Sequence, residues 1–281
     1  MSNFQIFLLV ILASISLLFF IRHQKYKSED RIFYPVLTYH KITGKFEWGI
    51  TRVKPQSFEQ HISYLKDEGF SSMDLEDLGL KKEENDKRVA LTFDDGYESI
   101  YLNAFPILNQ YGFTGTLFLI TGYIGKKNSW EAGFGHKFMH LSWEQIQEMK
   151  NSGFQFGSHT VNHPDLTKLT KKSLEFELKK SKETIEEKLN QEVKYLSYPF
   201  GRHNQMVRTE AKNAGYNAAF SLTSELSEDP FAIGRMGVYL FDTPLSLRIK
   251  LSPKGLFWIE DLKGWIINQF ATGTALVKRY K

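Results

Sequence analysis

The sequence predicts an α/β fold, a closed or nearly closed barrel of strands and helices, preceded by one N-terminal transmembrane helix. Three observations carry that expectation. Short apolar runs alternate with amphipathic helical runs between residues 33 and 215, polar clusters stand at the ends of several of those apolar runs, and residues 4–21 carry no charge. Strand-then-helix repetition argues for a mostly parallel sheet covered by helices. The 281 residues suit one such unit, since α/β barrels run to roughly 250 residues.

Composition narrows the classes further. With 42% hydrophobic and 24% charged residues the chain is globular, not disordered or collagen-like. A net charge of +4, from 36 Lys and Arg against 32 Asp and Glu, is too mild to imply a nucleic-acid partner. Cysteine is absent, which excludes disulfides, thiolate metal sites and a cysteine nucleophile, so a bound metal needs histidine and carboxylate.

Taken in order, Phe4–Ile21 would reach about 27 Å as a helix, close to the hydrocarbon thickness of a bilayer. Arg22, Lys25 and Lys27 follow at once, Met1-Ser2-Asn3 has no basic side chain and Leu17-Leu18-Phe19-Phe20 runs bulky to the end, so the run reads as an uncleaved anchor. Residues 1–30 form this anchor and linker, residues 31–250 the barrel, and residues 251–281 an amphipathic C-terminal extension. Phe33–Tyr39 reads as the first buried strand. Ser57 and Gln60 suggest a capping box for a helix carrying Phe58, Ile62 and Leu65 and ending at Gly69. Val89–Phe93 is a strand, Phe105–Tyr111 a helix ended by Gly112, and Gly115–Thr121 a strand. Ser142 and Gln145 open a helix that Gly153 closes. Phe154–Gly157 and Tyr195–Tyr198 are strands, and Lys171–Leu189 and Gln205–Ala214 are helices. The lysines and glutamates of Lys168–Lys188 read as a solvated helix face. The extension, with Leu256, Phe257, Trp258, Trp265, Ile266, Ile267 and Phe270 among lysines, fits a membrane surface or packing on the barrel equally well.

Reactive groups of such folds gather past the C-terminal ends of strands. Asp94 and Asp95 leave a buried strand together; one can bind a metal while the other takes a proton, or both can cap the next helix. His159 and His163 stand four residues apart, a spacing that on a helical turn brings two imidazoles to one side. With one aspartate they supply two nitrogens and an oxygen, the protein ligands of an open catalytic zinc site. Ser197-Tyr198-Pro199-Phe200-Gly201 is a proline-constrained turn at another strand end, and His40 ends the first strand.

Together these clusters resemble the polysaccharide deacetylase family, also known as the NodB homology domain or carbohydrate esterase family 4, over roughly Pro35 to Val238. Thr92-Phe93-Asp94-Asp95-Gly96 is similar to its first motif and His159-Thr160-Val161-Asn162-His163-Pro164 to its second. The resemblance implies Asp94 as general base and Asp95, His159 and His163 as ligands of a divalent metal, zinc being the expected ion. Tyr198-Pro199-Phe200-Gly201 resembles the third motif, which implies substrate-binding roles for Tyr198, Pro199 and Phe200, with the Phe200 N–H on the oxyanion. Phe200 stands where tyrosine is usual, and Ser197 where an arginine often precedes the motif.

No histidine follows His203, so the usual leucine-x-x-histidine motif that supplies the general acid is absent. Thr38-Tyr39-His40 resembles instead the early strand of the branch that deacetylates biofilm poly-N-acetylglucosamine, which implies His40 as a protonated general acid. The implied activity is removal of N-acetyl groups from an N-acetylglucosamine-containing cell-surface polysaccharide. A peptidoglycan or other acyl-glycan deacetylase, or a glycan-binding member without catalysis, is the competing expectation. Protein partners are not legible. Positive-inside counting places the domain in the cytoplasm; the implied substrate places it outside the cell membrane, on a single-pass anchor, and that is the expectation adopted.

Overall fold

The computed structural model describes residues 34–47, 49–79, 85–128, 137–223, 227–252 and 263. The strands are β1 (Val36–Tyr39), β2 (Lys41–Ile42), β3 (Arg52–Val53), β4 (Ser71–Ser72), β5 (Arg88–Phe93), β6 (Thr116–Leu119), β7 (Gln155–Ser158), β8 (Tyr195–Ser197), β9 (Ala218–Ser221), β10 (Ile233–Gly234) and β11 (Met236–Gly237). The helices are α1 (Pro55–Asp67), α2 (Phe105–Tyr111), α3 (Trp143–Asn151), α4 (Lys171–Leu189), α5 (Gln205–Asn213) and α6 (Pro244–Leu251).

The sheet runs in the order β10-β9-β8-β7-β6-β5-β1-β11, with β4 also on β5, and its pairs are parallel. Its two ends are consecutive in sequence. Arg235 alone separates β10 from β11, so the short segment 233–237 pairs with β9 at Ile233 and Gly234 and with β1 at Met236 and Gly237. The sheet therefore curls onto itself as a barrel.

Period-two alternation sorts the side chains into two shells. Leu37, Tyr39, Val89, Leu91, Phe93, Leu117 and Leu196 face outward and pack with Phe58, Ile62 and Leu65 of α1 and Leu174, Leu178 and Ile185 of α4 in one core. Val36, Ala90, Phe118 and Phe220 belong to a second cluster that fills the barrel interior. Above it the Thr38 and Thr92 hydroxyls meet at 2.9 Å, both buried. Continuing the same parity one step along β1 and β5 places His40 and Asp94 on the barrel axis at its C-terminal end.

Several local expectations fare differently. The capping box of α3 is present in full, with Ser142 and Gln145 each bonding the other's backbone. The one expected at Ser57 and Gln60 is absent: α1 begins two residues earlier, at Pro55, with no side-chain cap. Proline's fixed φ starts a helix without one. The predicted elements stop short of β9, and β10 and β11 escape prediction because they are two residues each and show no periodicity. Among the described residues no helix is long and apolar enough to cross a membrane. Phe4–Ile21 and the extension beyond residue 252 lie outside the described residues, apart from Lys263, whose ammonium pairs with buried Asp242.

Barrel closure leaves no space at Gly157 of β7. A methyl group there would stand 2.6 Å from the Phe118 ring and 2.9 Å from the Tyr195 carbonyl oxygen. Gly157→Ala is expected to lower the unfolding free energy by about 1–3 kcal/mol in urea titrations, the usual cost of overpacking; an unchanged midpoint would show that the strands can separate there.

Candidate active site

Asp94 leaves β5 with its amide bonded to the Tyr39 carbonyl of β1 at 2.9 Å. Its carboxylate meets Arg235 in a bidentate pair: Nη1 donates to Oδ1 at 2.9 Å and Nη2 to Oδ2 at 2.7 Å. Ser197 Oγ accepts from Nη2 at 2.7 Å and donates to Asp94 Oδ2 at 3.1 Å. Thr92 Oγ1 accepts from Nη1 at 3.2 Å. The guanidinium lies over the rings of Phe118 and Phe220, 5.1 and 5.7 Å from their centroids, and Arg235 is 1% exposed. Burial pushes the Asp94 carboxyl up, but Arg235, His159 and His40 together overrule it and hold it well below the usual carboxylate range.

The next residue turns the other way. Asp95 takes φ 70°, a left-handed conformation that ends strand parity and swings its carboxylate toward β7. His159 follows β7, and its Nδ1 bonds the Ser197 carbonyl oxygen at 2.7 Å. A carbonyl can only accept, so Nδ1 carries the proton and Nε2 keeps its lone pair. That Nε2 stands 3.5 Å from Asp95 Oδ1, and so does Nε2 of His163. One ligand atom from each of Asp95, His159 and His163 lies within 4.8 Å of the others. Two imidazole nitrogens, one carboxylate oxygen and a backbone carbonyl fixing the tautomer of a ligand are the donor set and outer support of a zinc-type site, so these residues fit a divalent ion.

The two histidines do not share a helical turn, as their spacing suggested. Residues 159–163 form an irregular loop with Thr160 at φ 71° and His163 at φ 56°, and these two kinks bring the rings to a 4.8 Å centroid separation. Phe200, at φ 61°, sets its ring 4.7 Å from that of His163. Among the described residues five non-glycines have positive φ, and Asp95, Thr160, His163 and Phe200 are four of them. Each such residue costs about 1–3 kcal/mol, so their concentration in one place marks it out without reference to any motif.

The turn after β8 corrects one expectation. Tyr198 is fully buried, and its hydroxyl donates to the Phe231 carbonyl at 2.9 Å, so its side chain packs in the core instead of facing a ligand. Pro199 is buried as well, which leaves Phe200 and the turn's backbone as the accessible part. His40 is half-buried beside Asp94; burial lowers its imidazole to about 4, against the opposing pull of Asp94, so it rests neutral rather than protonated.

Two site residues escaped the sequence. Arg235 stands outside every motif, and only its place between two glycine-ended strands of two residues each gives it meaning. His140 is buried, and its Nδ1 bonds the Asp95 carbonyl at 2.9 Å while Leu141 bonds that of Gly96, so this segment braces the Asp95 kink.

Residues 81–219 match the family model described as polysaccharide deacetylase. The Bacillus subtilis protein named "Putative polysaccharide deacetylase YxkH" is 31% identical over 232 residues, 81% of this chain and 74% of the relative. The poly-beta-1,6-N-acetyl-D-glucosamine N-deacetylase of Staphylococcus aureus is 32% identical over 185 residues, 60% of this chain and 61% of the relative. The chain thus spans under two thirds of that relative's length. Of solved structures, the Streptococcus pyogenes deacetylase PplD, in complex with acetate, superposes with a TM-score of 0.71 at 28% identity, covering 79% of this chain and 99% of its own. IcaB from Ammonifex degensii superposes with a TM-score of 0.64 at 25% identity, covering 78% and 95%.

Removing Arg235 leaves a buried carboxylate without its countercharge. Arg235→Met is expected to cost about 3–5 kcal/mol of stability in urea unfolding, and adding Asp94→Asn should return part of it; purely additive losses would mean the two do not interact. Acid should also weaken the fold. His40 and His159 are held below their ordinary 6.5, so the unfolded chain binds protons first as pH falls. Stability then drops from pH 6.5 toward about 4, with Asp94 adding the same sign below its ordinary 3.8. His40→Gln should flatten that slope in denaturation midpoints, and an unchanged slope would place the proton uptake elsewhere.

Proposed function

This chain belongs to the polysaccharide deacetylase family, and from that premise we propose that it is a metal-dependent hydrolase removing N-acetyl groups from an N-acetylglucosamine-containing cell-surface polysaccharide. The observation that carries the proposal is the adjacency of two differently prepared carboxylates. Asp95 faces two histidine nitrogens at 3.5 Å, whereas Asp94 is turned away into a bidentate pair with Arg235. One is set to hold an ion and the other to handle a proton. The name of the Staphylococcus aureus relative supports N-acetylglucosamine polymer as the substrate.

Asp95, His159 and His163 would hold an ion such as zinc, which would supply Lewis acidity to the acetamide carbonyl and bring the pKa of a bound water toward about 7. Asp94 then takes the water proton as the oxygen attacks the carbonyl carbon. Arg235 and Ser197 keep that carboxylate ionised and fixed in orientation, so no reorganisation precedes the transfer. The Phe200 N–H, presented by its left-handed turn, donates to the developing oxyanion, a contribution of about 3–4 kcal/mol where such donors are preorganised. The leaving amine needs a proton before the C–N bond breaks. His40 rests neutral, so it first takes up the proton that Asp94 has drawn from the water, passes it to the leaving nitrogen, and both groups return to their starting state. The products are acetate and a polymer bearing a free amine.

An N-acetylated surface polymer lies outside the cell, so the same reading puts the barrel beyond the membrane, tethered by Phe4–Ile21. Peptidoglycan and other acylated glycans would satisfy the same chemistry, and the test separates ion binding from proton transfer. Asp94→Asn should abolish acetate release while retaining metal, and His159→Ala should lose both, measured by metal content and product formation on the same preparations. Equal metal loss in the two variants would reverse the roles of Asp94 and Asp95. Full activity in His40→Ala would remove it as the acid.

A further inference from the structure

We propose that Glu177 of α4 is a positioning residue that sets the separation of His159 and His163 and thereby the affinity of the site for a divalent ion; this rests on reading those histidines as ligands. Glu177 lies in a stretch of lysines and glutamates that the sequence presents as a solvated face, yet it is 6% exposed. Its side chain is turned inward and its three hydrogen bonds all go to the loop between the histidines. Oε2 accepts from the Val161 and Asn162 amides, each at 2.9 Å, and Oε1 accepts from Asn162 Nδ2 at 2.8 Å.

Two successive amides converging on one oxygen form an anion-binding concavity, and a carboxylate fills it with charge-assisted bonds. The opposite edge of the loop is held too. The Thr121 amide donates to the Thr160 carbonyl at 3.1 Å and the Gly122 amide to that of Val161 at 2.9 Å. A Cβ on Gly122 would come within 2.6 Å of that same oxygen, so this approach requires glycine. One helical turn past Glu177, Ser181 meets Ser158 at 2.7 Å, and Ser158 accepts from the Thr160 amide at 3.1 Å. Thus one face of α4 grips the loop before His159 and before His163. Thr160 and His163 both need left-handed backbone, which relaxes without such a grip. Loss of Glu177 frees the second histidine to swing while the first stays tied to Ser197.

The test is zinc titration of the full chain against a competing chromophoric chelator, with thermal unfolding of the metal-free protein in parallel. Wild type should bind one zinc. Glu177→Ala should bind it about 10–100-fold more weakly, the range typical of outer-shell partners. Glu177→Asp, which withdraws the carboxylate by one methylene, should weaken it to a lesser degree and carries the test if the alanine variant does not fold. Glu177→Gln keeps an acceptor for both amides and should recover most of the affinity. Glu183→Gln, exposed on the same helix, should leave it unchanged. Folded Glu177→Ala or Glu177→Asp that binds zinc as wild type does, even with a lower unfolding temperature, would overturn the positioning role alone. A wild type that binds no zinc would overturn the metal reading on which it rests.

Discussion

The buried pair between Arg235 and Asp94 is the constraint on which both the barrel and its chemistry depend. Arg235 is the one residue between the two strands that join the ends of the sheet, so it occupies the seam of the barrel. A guanidinium buried there needs a countercharge and acceptors for its donors, and Asp94, Ser197 and Thr92 provide them from β5 and β8. Such a pair adds little net stability over a well-packed apolar core, because desolvation offsets the Coulomb gain. What it does is specify geometry. The carboxylate is held in one orientation at the C-terminal end of the barrel.

That arrangement carries a chemical consequence. A carboxylate held well below its usual pKa is a weak proton acceptor, so it can deprotonate water only if the water has been made acidic. On the proposed reading the neighbouring Asp95, His159 and His163 would answer this need, because a divalent ion held there would acidify its water by many units. On that reading the two carboxylates would form a coupled device and not a redundant pair. Strand parity keeps Asp94 on the axis beside Arg235, and the left-handed kink at Asp95 turns the next side chain to the histidines.

Much of the fold was legible in the sequence. The alternation of strands and helices, the ends at Gly112 and Gly153, the span of α4 and the capping box at Ser142 follow from local chemistry that the chain displays openly. Asp94, Asp95, His159 and His163 were visible because motif residues are contiguous. What escaped was set by long-range contacts. Arg235 acts across 141 residues of sequence on Asp94, and His140 across 45 on Asp95. Glu177 looks like its solvated neighbours until the helix is rotated into place. The helical spacing inferred for the two histidines failed because two left-handed residues, Thr160 and His163, do the work that a helical turn was expected to do. Tyr198 differs for the converse reason: Ser197 and Phe200 face the site, but period two sends the Tyr198 ring into the core.

The most direct measurement of the whole account is acetate release from N-acetylglucosamine oligomers by the purified protein, before chelation, after it, and after zinc is restored. Release should disappear on chelation and return with zinc. Release that persists without metal, or a folded zinc-loaded protein that binds the oligomers and liberates no acetate, would contradict it.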